Sequence, residues 1–191
     1  MVIDPGDQPD RVTATLSETD LRCAAIVLTH AHFDHIGAVA PLARDAGCPV
    51  YISSGEAHML AHVDDQLPPG IGPFEGYTAD VLLAGDEVFT VAGLTVTTHF
   101  CPGHSPAGLA FEIADPTDGA TALFVGDVLF RGSVGRTDFE GGSWPTLEAS
   151  ILRLYERCPH DVPVYSGHTP ATTLAQEART NPFLDAVRAR S

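Results

Sequence analysis

Residues 29–35 read Thr-His-Ala-His-Phe-Asp-His, and this heptapeptide constrains the chain more than any other stretch of it. Four side chains able to bind a metal, His30, His32, Asp34 and His35, fall within six residues, directly after the apolar run 24–28. An apolar run that stops at a polar cluster reads as a buried strand ending at a site. In an extended segment, residues two apart project to the same side, so His30, His32 and Asp34 are expected to converge on one place. A helical zinc motif would space its histidines four apart, which this segment does not do. The competing reading, a polar turn with solvated histidines, fits poorly with three histidines and an aspartate packed so closely.

Three further residues supply what a pair of metal ions would still lack. His104 lies in Cys-Pro-Gly-His-Ser, Asp127 follows Leu-Phe-Val-Gly, and His168 follows Val-Tyr-Ser-Gly. Each sits just past an apolar stretch and beside a glycine, where a strand end meets a loop and the backbone can approach an ion. Taken singly, each reads more readily as a cap or turn residue. Together with residues 29–35 they form a set of nitrogen and carboxylate donors that suits Zn²⁺ and also iron or manganese.

Around these residues the chain alternates strand and helix patterns. Strands are expected at 24–28, 50–52 and 162–165, a hairpin at 88–91 and 94–100, and a second pair at 109–113 and 122–125. Helices are expected at 36–46, closed by Gly47 and Pro49, and at 55–63, 146–157 and 172–179. The proline- and glycine-rich stretch 67–76 is expected to be a loop that borders the site. This order fits two packed sheets with helices outside better than a doubly wound parallel sheet. At 191 residues, without a repeat or linker, the expectation is one domain spanning 1–191.

Charge narrows the function. Twenty-five acidic against 10 basic side chains give a formal net charge of −15, with no basic cluster to track a phosphate backbone, so nucleic acid is not an expected partner. No apolar run approaches the length of a membrane span. Four scattered cysteines without a Cys-x-x-Cys spacing read as free thiols, Cys101 among them as a packed one. Asp4, Pro5, Asp7, Pro9 and Asp10 are unlike a signal peptide, so a cytoplasmic protein is expected. His58 and His62, four apart, read as the exposed face of a helix.

The order and approximate spacing of these motifs resemble the metallo-β-lactamase superfamily. Val-Ile-Asp-Pro-Gly-Asp at 2–7, Leu-Phe-Arg-Gly-Ser-Val-Gly-Arg-Thr-Asp-Phe at 129–139 and the stretch 167–183 resemble its small type II glyoxalase-like branch. The resemblance implies an α/β chain with the four-layer αββα sandwich of that fold. Because the family has one or two strands before the Val-Ile-Asp-Pro-Gly segment, it also implies a sheet short of its first strand or strands. It implies two divalent ions, zinc foremost: His30, His32 and His104 on one, Asp34, His35 and His168 on the other, and Asp127 bridging both. Two such ions lower the pKa of a bridging water, and the resulting hydroxide, with Asp34 and Asp127 beside it, would attack a carbonyl carbon. By the family pattern Asp4 orients a metal-binding histidine, with a simple turn residue as the competing reading. Arg136 is expected to contact an anionic group of a small thioester substrate, against a structural salt bridge with Asp138.

The implied activity is hydrolysis of S-(2-hydroxyacyl)glutathione or a related thioester. Two departures make glutathione binding less strongly implied than hydrolysis. The C-terminal helical extension that holds glutathione in full-length type II glyoxalases has no counterpart here, and Pro170 stands where those enzymes carry a tyrosine. The nearest rival is a persulfide dioxygenase with one iron on His30, His104 and Asp127. Other hydrolases of this fold, acting on a lactone or ester, and an inert metal-binding module rank below it. A class B β-lactamase and a processing nuclease fit the sequence less well. Oligomeric state is not legible.

Overall fold

The computed structural model describes residues 1–189. The chain divides into two compact units, Met1–Ala84 and the chain from Gly85 onward, each with its own sheet and hydrophobic core.

The first unit runs β1 (Val2–Ile3), α1 (Pro9–Glu18), β2 (Ile26–Val27), α2 (Phe33–Ile36), α3 (Val39–Ala46), β3 (Val50–Ser53), α4 (Ala57–Ala61), a 3-10 turn (Val63–Gln66) and β4 (Val81–Leu83). Its four strands lie in the order β1-β2-β3-β4, all parallel, with Ile26 opposite Val50 and Tyr51 opposite Val81. Parallel strands need covered crossovers, which explains why β2 is apolar and fully buried. Ile26, Leu28, Ile36, Val39, Leu42, Ile52 and Leu60 form the core of this unit. At roughly 1.5–3 kcal/mol for each fully buried side chain, that cluster is the main force holding the sheet to α2, α3 and α4.

The helix expected over 36–46 is divided in two. α3 starts only at Val39, because the Ala38 N–H is taken by the Gly6 carbonyl at 2.7 Å and Gly37 closes the preceding turn onto the Phe33 carbonyl at 2.9 Å. Its end is as expected: Gly47 adopts φ +60° and donates to the Ala43 carbonyl, a left-handed cap that glycine accepts without strain. α1 and β4 escape the sequence reading, since α1 has no fully buried residue and therefore little apolar stripe to detect.

The second unit contains β5 (Val88–Val91), β6 (Leu94–Phe100), β7 (Leu109–Ala114), β8 (Thr121–Phe124), the short pair β9 (Leu129–Phe130) and β10 (Ser133–Val134), α5 (Trp144–Arg157), β11 (Val164–Tyr165), α6 (Leu174–Thr180) and α7 (Asp185–Arg188). Its five-stranded sheet has the order β11-β8-β7-β6-β5, antiparallel except where β11 runs beside β8. The β5–β6 hairpin turns on Ala92 and Gly93, both at positive φ, and pairs Val91 with Leu94. α5 starts at the N-cap Ser143, whose Oγ accepts from the Thr146 N–H, and buries Leu147, Ile151 and Leu154 in a core with Ala110, Leu123 and Val125. Among the described residues no helix is long and apolar enough to cross a membrane.

Candidate metal centre

Within the first unit, Asp4 is the hub of the His-rich segment. It follows β1 at φ +45°, a conformation that costs a non-glycine residue energy and that aspartate tolerates better than most. Its Oδ1 accepts from the Thr29 N–H at 2.8 Å, and its Oδ2 accepts from the Thr29 hydroxyl at 2.5 Å and from His35 Nδ1 at 3.0 Å. The Thr29 hydroxyl, having given its proton to Asp4, accepts from His30 Nδ1 at 3.0 Å. One carboxylate thus fixes the proton of both buried rings on Nδ1, which leaves each neutral ring a lone pair on Nε2 for a cation.

The His30 ring lies 4.7 Å from that of His32 and 4.1 Å from that of His35. Asp34 Oδ2 stands 3.9 Å from His35 Nε2. Asp4, His30 and His35 offer donor atoms within 4.8 Å of one another. Beneath the segment, the fully buried Glu56 accepts from the Ala31 N–H at 2.6 Å and so fixes the backbone between His30 and His32.

The extended geometry expected for the whole segment holds only for its first part. His32 is extended, with φ −69° and ψ 144°, but Asp34 and His35 belong to the helical turn α2. Convergence therefore comes from a bend, in which the Gly6 N–H holds the His35 carbonyl at 3.1 Å, and not from alternation along a strand. The loop 67–76 borders this region through Phe74, whose ring would lie 3.1–3.2 Å from a Cβ added at Gly37.

Within the second unit, His104, Asp127 and His168 come together. His104 Nε2 lies 3.6 Å and His168 Nε2 3.2 Å from the same Asp127 Oδ2. His104 Nδ1 donates to the Arg136 carbonyl at 2.8 Å, so its Nε2 likewise carries the lone pair. Two glycines make the arrangement possible. Gly103, at φ +129°, lets the first turn of α5 pack on it: a Cβ there would lie 2.2 Å from the Leu147 nitrogen. A Cβ at Gly135 would sit 1.8 Å from the Asp127 carbonyl oxygen and 3.1 Å from His104 Nδ1. The loops carrying Asp127 and His168 are joined by the Gly167 N–H donating to the Gly126 carbonyl at 3.1 Å.

Behind these three residues, buried Glu177 and Asn181 on and after α6 hold the β9–β10 pair. Glu177 accepts from the Gly132 N–H at 2.7 Å, and Asn181 Nδ2 donates to the Ser133 carbonyl at 2.9 Å and to Glu177 at 2.9 Å. Sequence reasoning missed Glu56, Glu177 and Asn181. The signal for the last two was their spacing from Leu174, three and seven residues on, which puts polar groups on the apolar face of a helix.

The Arg136 side chain is exposed and paired with Asp138 through Nε and Nη2, both at 2.6 Å, with its guanidinium 4.1 Å over the Phe139 ring. This pairing holds the Asp138 carboxyl down at about 2. His58 and His62 stack in the open, 4.2 Å apart. Cys101 is buried, and desolvation pushes its thiol up to about 12, so it is a packing residue and not a nucleophile.

The donor chemistry within each unit fits a divalent metal: the imidazoles of His30, His35 and His104 each have Nδ1 hydrogen-bonded, with carboxylates beside them. A family profile described as the metallo-beta-lactamase superfamily matches residues 1–168. The probable metallo-hydrolase YqgX of Bacillus subtilis is 37% identical over 97% of this chain and 87% of its own length. The hydroxyacylglutathione hydrolase GloC of Haemophilus influenzae is 32% identical over 96% and 86%. Among solved structures, BLEG-1 B3 metallo-beta-lactamase superposes with a TM-score of 0.85 at 37% identity, covering 96% of this chain and 87% of that one. TTHA1623 in a di-iron-bound form gives 0.81 at 42% identity, covering 95% and 87%. The chain belongs to the metallo-β-lactamase superfamily and has its fold. It is of the metallo-hydrolase kind, built to bind divalent metal.

Proposed function

We propose that this protein is a metal-dependent thioesterase that hydrolyses S-(2-hydroxyacyl)glutathione or a related small thioester. In this reading His30, His32 and His104 hold one ion, Asp34, His35 and His168 hold a second, and Asp127 is shared by both. The observation that carries it is the ring orientation of three histidines. His30 through Thr29, His35 through Asp4 and His104 through the Arg136 carbonyl all commit Nδ1 as donor, which puts the ring lone pair of each neutral imidazole on Nε2. The similarity to the GloC hydrolase supports the thioester as substrate. Zinc suits the donors, and the di-iron form of the TTHA1623 relative makes iron the alternative to test beside it.

When bound, a divalent pair supplies a nucleophile from water at neutral pH and polarises the acyl carbonyl. The chain's own residues do the rest. Asp4 keeps His30 and His35 in the ligating tautomer. Asp34 is the more exposed carboxylate, and in this reading it would stand beside the water that the metals activate. Asp127 holds His104 and His168 to one side. Arg136 has Nε and Nη2 taken by Asp138, so an anionic group of the substrate would be met by Nη1. Arg136→Glu should then raise KM for an anionic thioester, and an unchanged KM removes that role. The buried thiols fit a reducing compartment, so we assign the protein to the cytoplasm.

The test is loss of the thioester absorbance of S-D-lactoylglutathione, with protein reconstituted in zinc or in ferrous iron and His32→Ala as control. Hydrolysis by wild type that disappears in the variant is the expected result. No hydrolysis by folded protein loaded with either metal would end the thioesterase reading and bring forward persulfide oxidation by a single iron.

A further inference from the structure

Among the described residues outside the ligand set above, one cluster joins three metal-binding side chain types in a single place. We propose that His99, Glu112 and Cys158 form a separate site for one zinc-class divalent cation. His99 lies on β6 and Glu112 on β7, where Thr97 faces Glu112 and His99 faces Ala110, so the two side chains are diagonal neighbours on one face of the sheet. Cys158 follows the last turn of α5 and meets them from the helix side.

The two distances to His99 Nε2 fit the edges of a tetrahedral ion. Cys158 Sγ lies 3.4 Å and Glu112 Oε2 3.5 Å from His99 Nε2, and the three donor atoms all fall within 4.8 Å of one another. With metal–sulfur bonds of about 2.3 Å and metal–nitrogen or –oxygen bonds of about 2.0–2.1 Å, the edges of a tetrahedron are roughly 3.4–3.6 Å. Hydrogen bonding alone accounts for the trio less well. With Nε2–H turned to Glu112 the 3.5 Å contact is longer than a good N–H···O bond, and with Nε2 accepting from the Cys158 Sγ–H the carboxylate receives no proton from the ring.

Charge and access point the same way. Binding places the His99 proton on Nδ1 and releases the Cys158 Sγ–H proton to solvent, so one carboxylate and one thiolate balance the two positive charges of the ion. Burial lowers the His99 pKa, which keeps the ring neutral and able to ligate. Burial, with Glu112 adding to it, raises the Cys158 thiol to about 12, so the cysteine on its own is neither nucleophile nor redox centre at neutral pH. The carboxyl end of α5 favours a cation. His99 and Cys158 are each only 7% exposed, whereas the Glu112 side chain is 24% exposed and opens the cluster to solvent for entry and for a water as fourth ligand. An ion there would pin the end of α5 to the sheet, while the first turn of the same helix packs on Gly103 beside His104.

The experiment is cobalt(II) loading of the full chain, read by the near-ultraviolet thiolate-to-cobalt charge-transfer band. None of the residues assigned to the hydrolytic centre is a cysteine, so that centre cannot give this band whether or not it is a thioesterase. The band should appear in wild type and in His32→Ala, vanish in Cys158→Ser and Cys158→Ala, weaken in His99→Gln, and survive Cys101→Ser and Cys23→Ser. X-ray absorption of the zinc-loaded protein should show a sulfur scatterer that disappears with Cys158; this second reading rests on wild type even if one variant folds poorly. Absence of the band from folded, cobalt-loaded wild type, or its persistence in Cys158→Ala, would overturn the site.

Discussion

A histidine can offer a metal either ring nitrogen, and what decides between them is the partner of the other one. Here the deciding partners are a carboxylate, a hydroxyl and a backbone carbonyl. Asp4→Asn should preserve the backbone at φ +45°, which asparagine tolerates, while removing the oxygen that orients His35 and, through Thr29, His30. Metal affinity in chelator competition is expected to fall about 10–100-fold with little change in the melting temperature of the metal-free protein. Unchanged affinity would reduce Asp4 to a turn residue. Gly135 acts by what it lacks. Gly135→Ala drives a methyl group against the Asp127 carbonyl, and urea denaturation of the metal-free protein should show a loss of about 1–3 kcal/mol or more. The candidate ligands were legible at this scale because four potential donors crowd into residues 30–35 and three more follow apolar runs, although any one of the three alone would pass for a cap or turn residue. Gly135 was not legible, since its need for a missing side chain comes from contacts with Asp127 and His104 that no local pattern reveals.

Elements bring these residues together by a few long-range ties. The β9–β10 pair has only two ladder partners and depends on α6 for its position. Asn181→Ala should leave the Ser133 carbonyl and Glu177 each short of a donor, costing about 1–3 kcal/mol in denaturant unfolding. A cost below about 0.5 kcal/mol, the range of ordinary surface substitutions, would mean that water replaces the amide there. The strands β5 to β8 and the helix α5 could be read in advance because their alternation and periodicity are local properties. The break between α2 and α3 could not, because it is made by Gly6, some thirty residues earlier in the chain. The same break carries Asp34 and His35 into a helical turn, which alternation along a strand does not foresee.

At the scale of the whole molecule, the sequence motifs already indicated the metallo-β-lactamase fold, because they span nearly the entire chain. Each of the two units is held by its own apolar cluster, and the four cysteines are buried and free. With Cys101 and Cys158 both pushed up to about 12, native metal-free protein should resist an aromatic disulfide reagent at pH 8 and release four reactive thiols only on unfolding. Fast reaction of a thiol in the native state would contradict the packing described. The proposed assignment of these donors to one metal pair is tested most directly by metal stoichiometry. Counted in a Cys158→Ser background, wild-type ligands should bind two ions per chain, and His35→Ala in the first unit or His168→Ala in the second should each lose about one of them with the hydrolytic activity. Two ions retained in both variants would contradict the assignment.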